Sequence, residues 1–339
     1  MVYNMYKVLF IVKTPNEASS RFRVFSYFDQ LKNDFELSTF YAKYDNPKIP
    51  KFILRIYRQI RFLLMISRAY RYDVIYMQRP MSSDNSNSTF FENLLAKVNS
   101  RIIFDYDDAL YVINETKMRS LVSLVDTCVC GNNELENFAK QYNCNTYIIP
   151  TPINTIKFTS KVSTQKLTIG WTGTSSNYQF FTAKMIHDIK KVLEEFSYVK
   201  FLFICNERPD DTFDFDYDFI TWEADREVED LKKIDIGLMP LIDSPWSRGK
   251  CGFKLIQYGA IGIASIGSNV GVNNQVILEN KSGYLVEDDE WYIPLKNLIE
   301  DNTLRQSFGK KARSHIQENY STLKNYPKLK EVLLRTINR

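Results

Sequence analysis

Short apolar runs rich in β-branched and aromatic residues alternate, along the first half of the chain, with segments whose apolar residues recur at helical spacing. The runs Lys7–Val12, Phe35–Tyr41, Asp73–Met77, Arg101–Phe104, Thr127–Cys130 and Thr146–Ile149 predict strands. Arg21–Asn33, Lys51–Arg71 and Asn133–Tyr142 predict helices between them. Strands alternating with helices imply βαβ units and a parallel sheet with right-handed crossovers. The rhythm breaks at Pro150-Thr151-Pro152 and a polar stretch at 159–166, which together read as a linker. It then restarts. Strands are predicted at Leu167–Thr172, Lys200–Cys205, Phe219–Trp222, Asp235–Met239, Gly262–Ile266 and Gly283–Val286. Helices are predicted at Phe180–Phe196, Glu227–Lys233, Gly252–Ala260, Trp291–Glu300, Thr303–Asn319 and Ser321–Thr336. The pattern is α/β: two doubly wound units in succession.

The length of 339 residues fits two domains, and 44% hydrophobic with 25% charged residues is the composition of a packed globular protein. Lys7 precedes a five-residue apolar run that ends at Lys13, too short for a signal-peptide core. No segment offers 18 uncharged apolar residues. Five cysteines, an odd number without metal-site spacing, read as reduced thiols of a cytoplasmic protein. The net charge is only +4, yet Lys51, Arg55, Arg58, Arg61, Arg68 and Arg71 fall in one stretch without an acid. Arg55, Arg58 and Arg61 step by three and gather on one flank of the helix. Two readings fit: solvated arginines on a helix whose apolar side packs on the sheet, or contact with an anionic membrane surface. Nucleic acid is not expected, because no recognition motif accompanies the charge.

In doubly wound sheets ligands bind beyond the carboxyl ends of the strands. Three loops there carry candidate chemistry. Gly170-Trp171-Thr172-Gly173-Thr174-Ser175-Ser176-Asn177 follows a strand with glycine and small hydroxyl residues, which fits a phosphate or an ordinary capped turn. The segment from Asp235 to Gln257 puts Arg248 and Lys250 at a helix entrance and Lys254 one turn in. Cations there oppose the helix macrodipole, so an anion such as a diphosphate should accompany them unless the loop is merely solvated. Ser265–Gly271 adds Gly267 and Asn269 in a third small-residue loop. In the first half, Ser20 and Arg21 open a helix after the first strand, Arg79 follows the third, and Asp105, Asp107 and Asp108 end the fourth. The acidic cluster fits acceptor contact or structural hydrogen bonding, and a metal is not expected on it. The later Asp-rich phrase RPDDTFDFDYDF reads as a solvated loop, and His187 and His315 as surface or helix-packing residues.

The phrases IGWTGTSSN, DIGLMPL, RGK with GFKLIQYGAIG, IGSNVGVN, SGYLVEDDEW and LRQSFGKKAR occur in order over about 150 residues. With ASSRFR, YDVIYMQRP, RIIFDYDDALY and IIPTPIN before them, the chain resembles family-4-like (group 1) glycosyltransferases of bacterial surface polysaccharide synthesis. The resemblance implies the GT-B fold, two Rossmann-like domains facing a central crevice. Residues 1–158 would form the acceptor-side domain and 159–319 the nucleotide-sugar domain, with a helix at 320–339 packing back toward the first. It implies a transferase that moves a sugar from a nucleotide-diphosphate sugar to a hydroxyl of a glycan or lipid-linked glycan. Retention of configuration is implied, with neither metal nor other cofactor and a location in the cytoplasm or on the cytoplasmic membrane face. It assigns Arg248, Lys250, Lys254, Gly173 and Thr174 to the donor diphosphate, Gln257 to the ribose, and Gly267 and Asn269 to the donor-sugar loop. Ser20, Arg21, Arg79, Asp105, Asp107 and Asp108 fall to the acceptor crevice.

The chain departs from that pattern in three places. Gly249 and Gln257 stand where many relatives carry two glutamates, Thr174 stands in a loop that usually holds cations, and Gln78-Arg79 replaces the usual amino-terminal histidine. These departures leave room for a catalytically degenerate subunit or scaffold of a polysaccharide assembly complex. An epimerase or hydrolase on the same fold is the other alternative. A nicotinamide dehydrogenase is disfavoured, since neither half has GxGxxG followed by an acid about 20 residues on.

Overall fold

Each series of apolar runs lies side by side as a six-stranded, all-parallel sheet. The computed structural model describes residues 5–45, 48–160, 167–287 and 289–339, so most of the polar linker stretch, 161–166, lies outside the described residues. The chain divides into two compact units: Met1–Pro152 with Gly249–Cys251 and Asn325–Arg339, and Ile153–Arg248 with Gly252–Lys324.

The first unit contains β1 (Tyr6–Val12), β2 (Phe35–Tyr41), β3 (Val74–Gln78), β4 (Ile102–Tyr106), β5 (Thr127–Cys130) and β6 (Thr146–Ile148), in the order β2-β1-β3-β4-β5-β6. Strands covered on both faces need apolar residues at successive positions, as in β1 and β3, whereas the edge strand β2 (FELSTFY) is only partly buried. Val8, Phe10, Val12, Val74, Tyr76, Ile103 and Val129 form one core. The last helix, Thr322–Ile337, adds Leu329, Val332, Leu333 and Ile337 to it.

The helix expected over Arg21–Asn33 is instead three short pieces, Ala18–Arg23, a 3-10 turn at Phe25–Tyr27, and Phe28–Leu31. The break is at Val24, which leaves helical geometry (φ −120°, ψ −66°) with its side chain fully buried. The helix Lys51–Ile66 packs through Leu54, Phe62, Met65 and Ile66. Two residues of its arginine flank, Arg58 and Arg61, lie toward that inner side. Arg58 is half-buried with Nε donating to the Leu54 carbonyl at 3.4 Å, and Arg61 is half-buried 4.9 Å from the ring centre of Phe40. Of the three arginines only Arg55 is exposed.

The second unit contains β7 (Thr168–Gly173), β8 (Lys200–Cys205), β9 (Asp218–Thr221), β10 (Ile236–Met239), β11 (Ala264–Ser268) and β12 (Gly283–Val286), in the order β12-β11-β10-β7-β8-β9. Trp171, Phe181, Met185, Ile189, Phe203 and Trp291 anchor its core. Three of the five cysteines, Cys128, Cys130 and Cys205, are buried filler in the two sheets. In each unit the strand order reverses at one place, between β1 and β3 and between β7 and β10. Chain connections leave in opposite directions there and open a ligand-binding crevice at the carboxyl edge.

Candidate functional site

At the β7/β10 reversal, the helix Phe253–Ile261 follows Gly252, which holds φ +66° and supplies no side-chain cap. Lys254, the second residue of this helix, sets its ammonium 5.3 Å from the ring centre of Trp171 on β7. Gly173 at the end of β7 completes the group. A Cβ there would stand 2.6 Å from the Trp171 ring and 2.9 Å from Lys254 Cε, so glycine is required for space. Tyr258, from the same helix, reaches two strands: its hydroxyl accepts from Thr172 N at 3.1 Å and donates to the Leu238 carbonyl at 3.4 Å. One side chain thereby ties β7 to β10. The arrangement sets a helix N-terminus without a side-chain cap and one cation at a strand end, which suits an anion.

The neighbouring loops are fixed by hydrogen bonds. Ser175 N donates to Asn206 Oδ1 at 2.8 Å, and Asn177 Nδ2 donates to Thr174 Oγ1 at 2.8 Å. Ser268 Oγ accepts from Leu241 N at 2.9 Å, joining the loops after β11 and β10. Asn269 donates to Glu287 at 2.9 Å. A cleft of about 430 Å³ lies among Thr182, Leu241, Asp243, Ser268, Asn269 and Glu287. Arg248 makes a two-pronged ion pair with Asp243, 2.7 Å for each nitrogen, and both side chains are about half exposed. That hydrogen-bonded pairing holds the Asp243 carboxyl below its ordinary value. Gly271, at φ +56°, passes so close to the Arg248 backbone that a Cβ would fall 2.8 Å from its carbonyl oxygen. Gln257 is buried and donates from Nε2 to Glu227 Oε1 at 3.1 Å.

At the β1/β3 reversal the chemistry is a set of buried polar groups. Arg23 Nε donates to both oxygens of Asp105 at 2.9 and 2.8 Å, and its terminal nitrogen pairs with the same carboxylate. Nη1 reaches the Ile149 carbonyl at 3.0 Å and Thr151 Oγ1 at 3.1 Å. Burial works against the Arg23 charge, but the Asp105 carboxylate more than offsets it and holds the guanidinium well above its ordinary value. Arg79 follows β3 in a left-handed conformation, φ +66°, which is strained for a residue with a Cβ. Its terminal nitrogen pairs with Asp107 at 3.2 Å and with Asp108. Around these pairs, Ser19 Oγ, Ser20 Oγ, both amide atoms of Gln78 and Arg79 Nε are buried and lack a partner. Such groups await a water or a ligand.

No family model matches the chain. Over 100 residues it is 28% identical to an uncharacterised glycosyltransferase of Methanocaldococcus jannaschii, a match covering 29% of this chain and 26% of that protein. The matched segment is thus about a quarter of that relative's length. Solved structures match over nearly the whole chain. Sucrose-phosphate synthase from Thermosynechococcus elongatus superposes with a TM-score of 0.72 at 14% identity, covering 98% of this chain and 99% of that one. Anabaena HepE in complex with UDP-glucose gives 0.72 at 12% identity, covering 97% and 99%. The lipopolysaccharide outer core galactosyltransferase WaaB gives 0.64 at 9% identity, covering 97% and 99%. The chain has the GT-B fold.

Within this GT-B chain the carboxyl edge of the second sheet brings together Gly173 and Lys254, with Gly267 buried in β11 and Thr174 and Asn269 in exposed or half-exposed loops. Arg248 belongs to the same unit but is turned to Asp243, and Lys250 belongs with the first unit in the segment Gly249–Cys251. In the first unit Ser20 and Asp105 are fully buried, Asp107 nearly so, and Arg21 half-buried beside the Phe22 ring. His187 is exposed, and His315 Nε2 donates to the Gln275 carbonyl at 2.9 Å. Sequence reasoning passed over Tyr258, Asn206 and Glu227. Tyr258 is one turn beyond Lys254 and could have been sought as an aromatic on the inner side of that helix. Glu227 lies 30 residues from Gln257 with no pattern linking them.

Proposed function

We propose that the protein is a glycosyltransferase that moves a sugar from a nucleoside-diphosphate sugar to a hydroxyl of a glycan or lipid-linked glycan, with retention of configuration and without a metal. The observation that carries this reading is the cation of Lys254 beside Gly173, at the uncapped start of the helix Phe253–Ile261 and the strand-order reversal of a GT-B unit. A diphosphate placed there meets the helix N–H groups and the ammonium. Arg248 joins it by exchanging the Asp243 carboxylate for phosphate oxygens, with the same fork geometry. Charge developing on the departing diphosphate is then stabilised electrostatically. Gln257 takes a ribose hydroxyl on Oε1, its amide oriented by Glu227. Asn269 and the backbone at Gly267 border the sugar, and Thr174 borders the phosphates.

The first unit supplies the acceptor side through Ser20, Gln78 and Arg79, whose buried polar atoms a hydroxyl-rich ligand would satisfy. Asp105, Asp107 and Asp108 are each committed to an arginine, which favours a reaction without a side-chain base and disfavours a metal on this cluster. UDP-glucose is the first donor to try, being the molecule bound in the HepE structure of the same fold. The test is product analysis after incubation with donor sugars, with and without glycan acceptors and with EDTA. Transfer that survives EDTA and retains the donor's anomeric configuration supports the proposal. Free sugar or epimerised nucleotide sugar without an acceptor would overturn it in favour of a hydrolase or epimerase.

A further inference from the structure

Seven large apolar residues of the helix Lys51–Ile66 face solvent: Phe52, Ile53, Ile56, Tyr57, Ile60, Leu63 and Leu64 are 44–67% exposed. At about 100° per residue they fall within one arc of about 140°. The packed residues Leu54, Phe62, Met65 and Ile66 fall opposite, together with half-buried Arg58 and Arg61. The helix is therefore amphipathic in the inverted sense: its apolar arc points outward. Single exposed apolar side chains are ordinary, but a contiguous arc of seven marks an interaction surface. Two further exposed aromatic residues lie near this helix. Phe91 packs 4.8 Å from Phe62 and carries its neighbour Phe90, 61% exposed, beside this helix, while Tyr70 is 64% exposed just past its end.

The charge around the arc selects its occupant. Lys51, Arg55, Arg68 and Arg71 are exposed, and no acid occurs from 51 to 71. Among the described residues no helix is long and apolar enough to cross a membrane, and this one is 16 residues. An apolar arc bordered by cations and amphipathic rings is the pattern of a helix lying in the plane of an anionic bilayer interface. We infer that this face seats the protein on an anionic lipid surface, with Ile53, Ile56, Ile60 and Leu63 among the acyl chains and Arg55, Arg68 and Arg71 at the headgroups. The apolar arc with the exposed cations, rather than the half-buried Arg58 and Arg61, makes the contact. The inference is independent of the donor chemistry.

The test is co-sedimentation of the full chain with phosphatidylcholine vesicles and with mixed phosphatidylcholine–phosphatidylglycerol vesicles. Wild type should sediment with the mixed vesicles and release as salt is raised. Ile56→Ser/Ile60→Ser/Leu63→Ser should weaken partition at least about tenfold without lowering the melting temperature, because binding scales with inserted apolar area. Arg55→Gln/Arg68→Gln/Arg71→Gln should remove the preference for phosphatidylglycerol. In Ile60→Trp, emission should shift to the blue on mixed vesicles and be quenched by brominated acyl chains. Wild type that stays in the supernatant with mixed vesicles, or a serine variant that binds as wild type does, would overturn the inference. So would an unshifted Ile60→Trp, or a dimer of the chain in sedimentation velocity that the serine variant dissolves while vesicles bind neither form.

Discussion

Gly173→Ala probes the donor-side geometry through a single methyl group. The new carbon would sit 2.6 Å from two atoms of the Trp171 ring and 2.9 Å from Lys254 Cε. The two obstacles differ in how far they can yield. Lys254 is the flexible end of a half-exposed side chain, whereas Trp171 is 1% exposed and wedged against Tyr178, Phe181 and Phe203. The clash with Trp171 is an overpacking of the core and should cost about 1–3 kcal/mol of stability. For a unit of this size that corresponds to a fall of about 2–10 °C in Tm. Lys254 should at the same time be displaced from the strand end, with loss of one hydrogen bond to a charged group, about 1.5–3 kcal/mol of nucleotide affinity. Lys254→Ala separates the two effects: it should lose the affinity and keep the Tm. In the double variant the affinity losses should not add, because both act on one ammonium. Thermal unfolding and calorimetric titration with the preferred nucleoside diphosphate read both quantities. A Gly173→Ala protein that melts and binds as wild type does would refute the packing argument, and additive affinity losses would refute the role of Lys254.

Arg248→Ala should weaken binding of a nucleoside diphosphate about tenfold or more and leave the nucleoside unaffected. Equal losses for both in calorimetry would remove Arg248 from the diphosphate. Asp105→Asn leaves the buried Arg23 charge uncompensated and should cost about 3–5 kcal/mol in urea unfolding. Arg23→Met/Asp105→Leu should cost less than that single change, and a loss below about 1 kcal/mol for Asp105→Asn would refute the buried pair. Asp34 ties the last helix to the first unit through hydrogen bonds from Lys330 and Tyr326, the Lys330 contact being 2.6 Å, and these hold its carboxyl below the ordinary value. Its contribution is thus present above the unfolded carboxyl pKa of about 3.9 and disappears as pH falls through the lower folded value. Asp34→Asn should destabilise modestly at neutral pH, by about 0.5–1 kcal/mol, and should converge with wild type in strong acid. A stability gap that stays constant through the acid range would contradict the assignment.

Most strands were legible because a parallel sheet covered on both faces demands nearly unbroken apolar runs, and β5 and β8 lie where those runs lie. Periodicity was less informative about orientation. It places apolar residues on one arc of the helix Lys51–Ile66 and arginines on another, but the neighbours decide which arc packs. Here the rings of Phe40 and Tyr44, from outside the helix, take the Arg61 guanidinium and turn that side inward. The break at Val24 escaped notice for a similar reason, since a buried β-branched residue fits the helical pattern and its departure is set by the core it fills. Of the candidate site, the glycine loops and Lys254 could be read from their place after strands. The clasp of Tyr258 on Thr172 and Leu238 could not, because β7 and β10 are neighbours only in the folded sheet, their paired residues 67 positions apart in the chain. The pairing of Arg248 with Asp243 was within reach, five residues apart across one loop, yet charge counting treated the cation as free.

The central claim is that the second unit binds a nucleoside diphosphate sugar at the β7/β10 reversal. Calorimetric titration of the intact chain with UDP, GDP, ADP and CDP, their sugars and the bare nucleosides, repeated on Lys254→Ala, tests it most directly. The account predicts one base bound with one-to-one stoichiometry, an affinity that drops sharply without the diphosphate, and a matching loss in Lys254→Ala. Absence of binding by every nucleotide, or binding of nucleoside and nucleotide with equal affinity in both proteins, would contradict it.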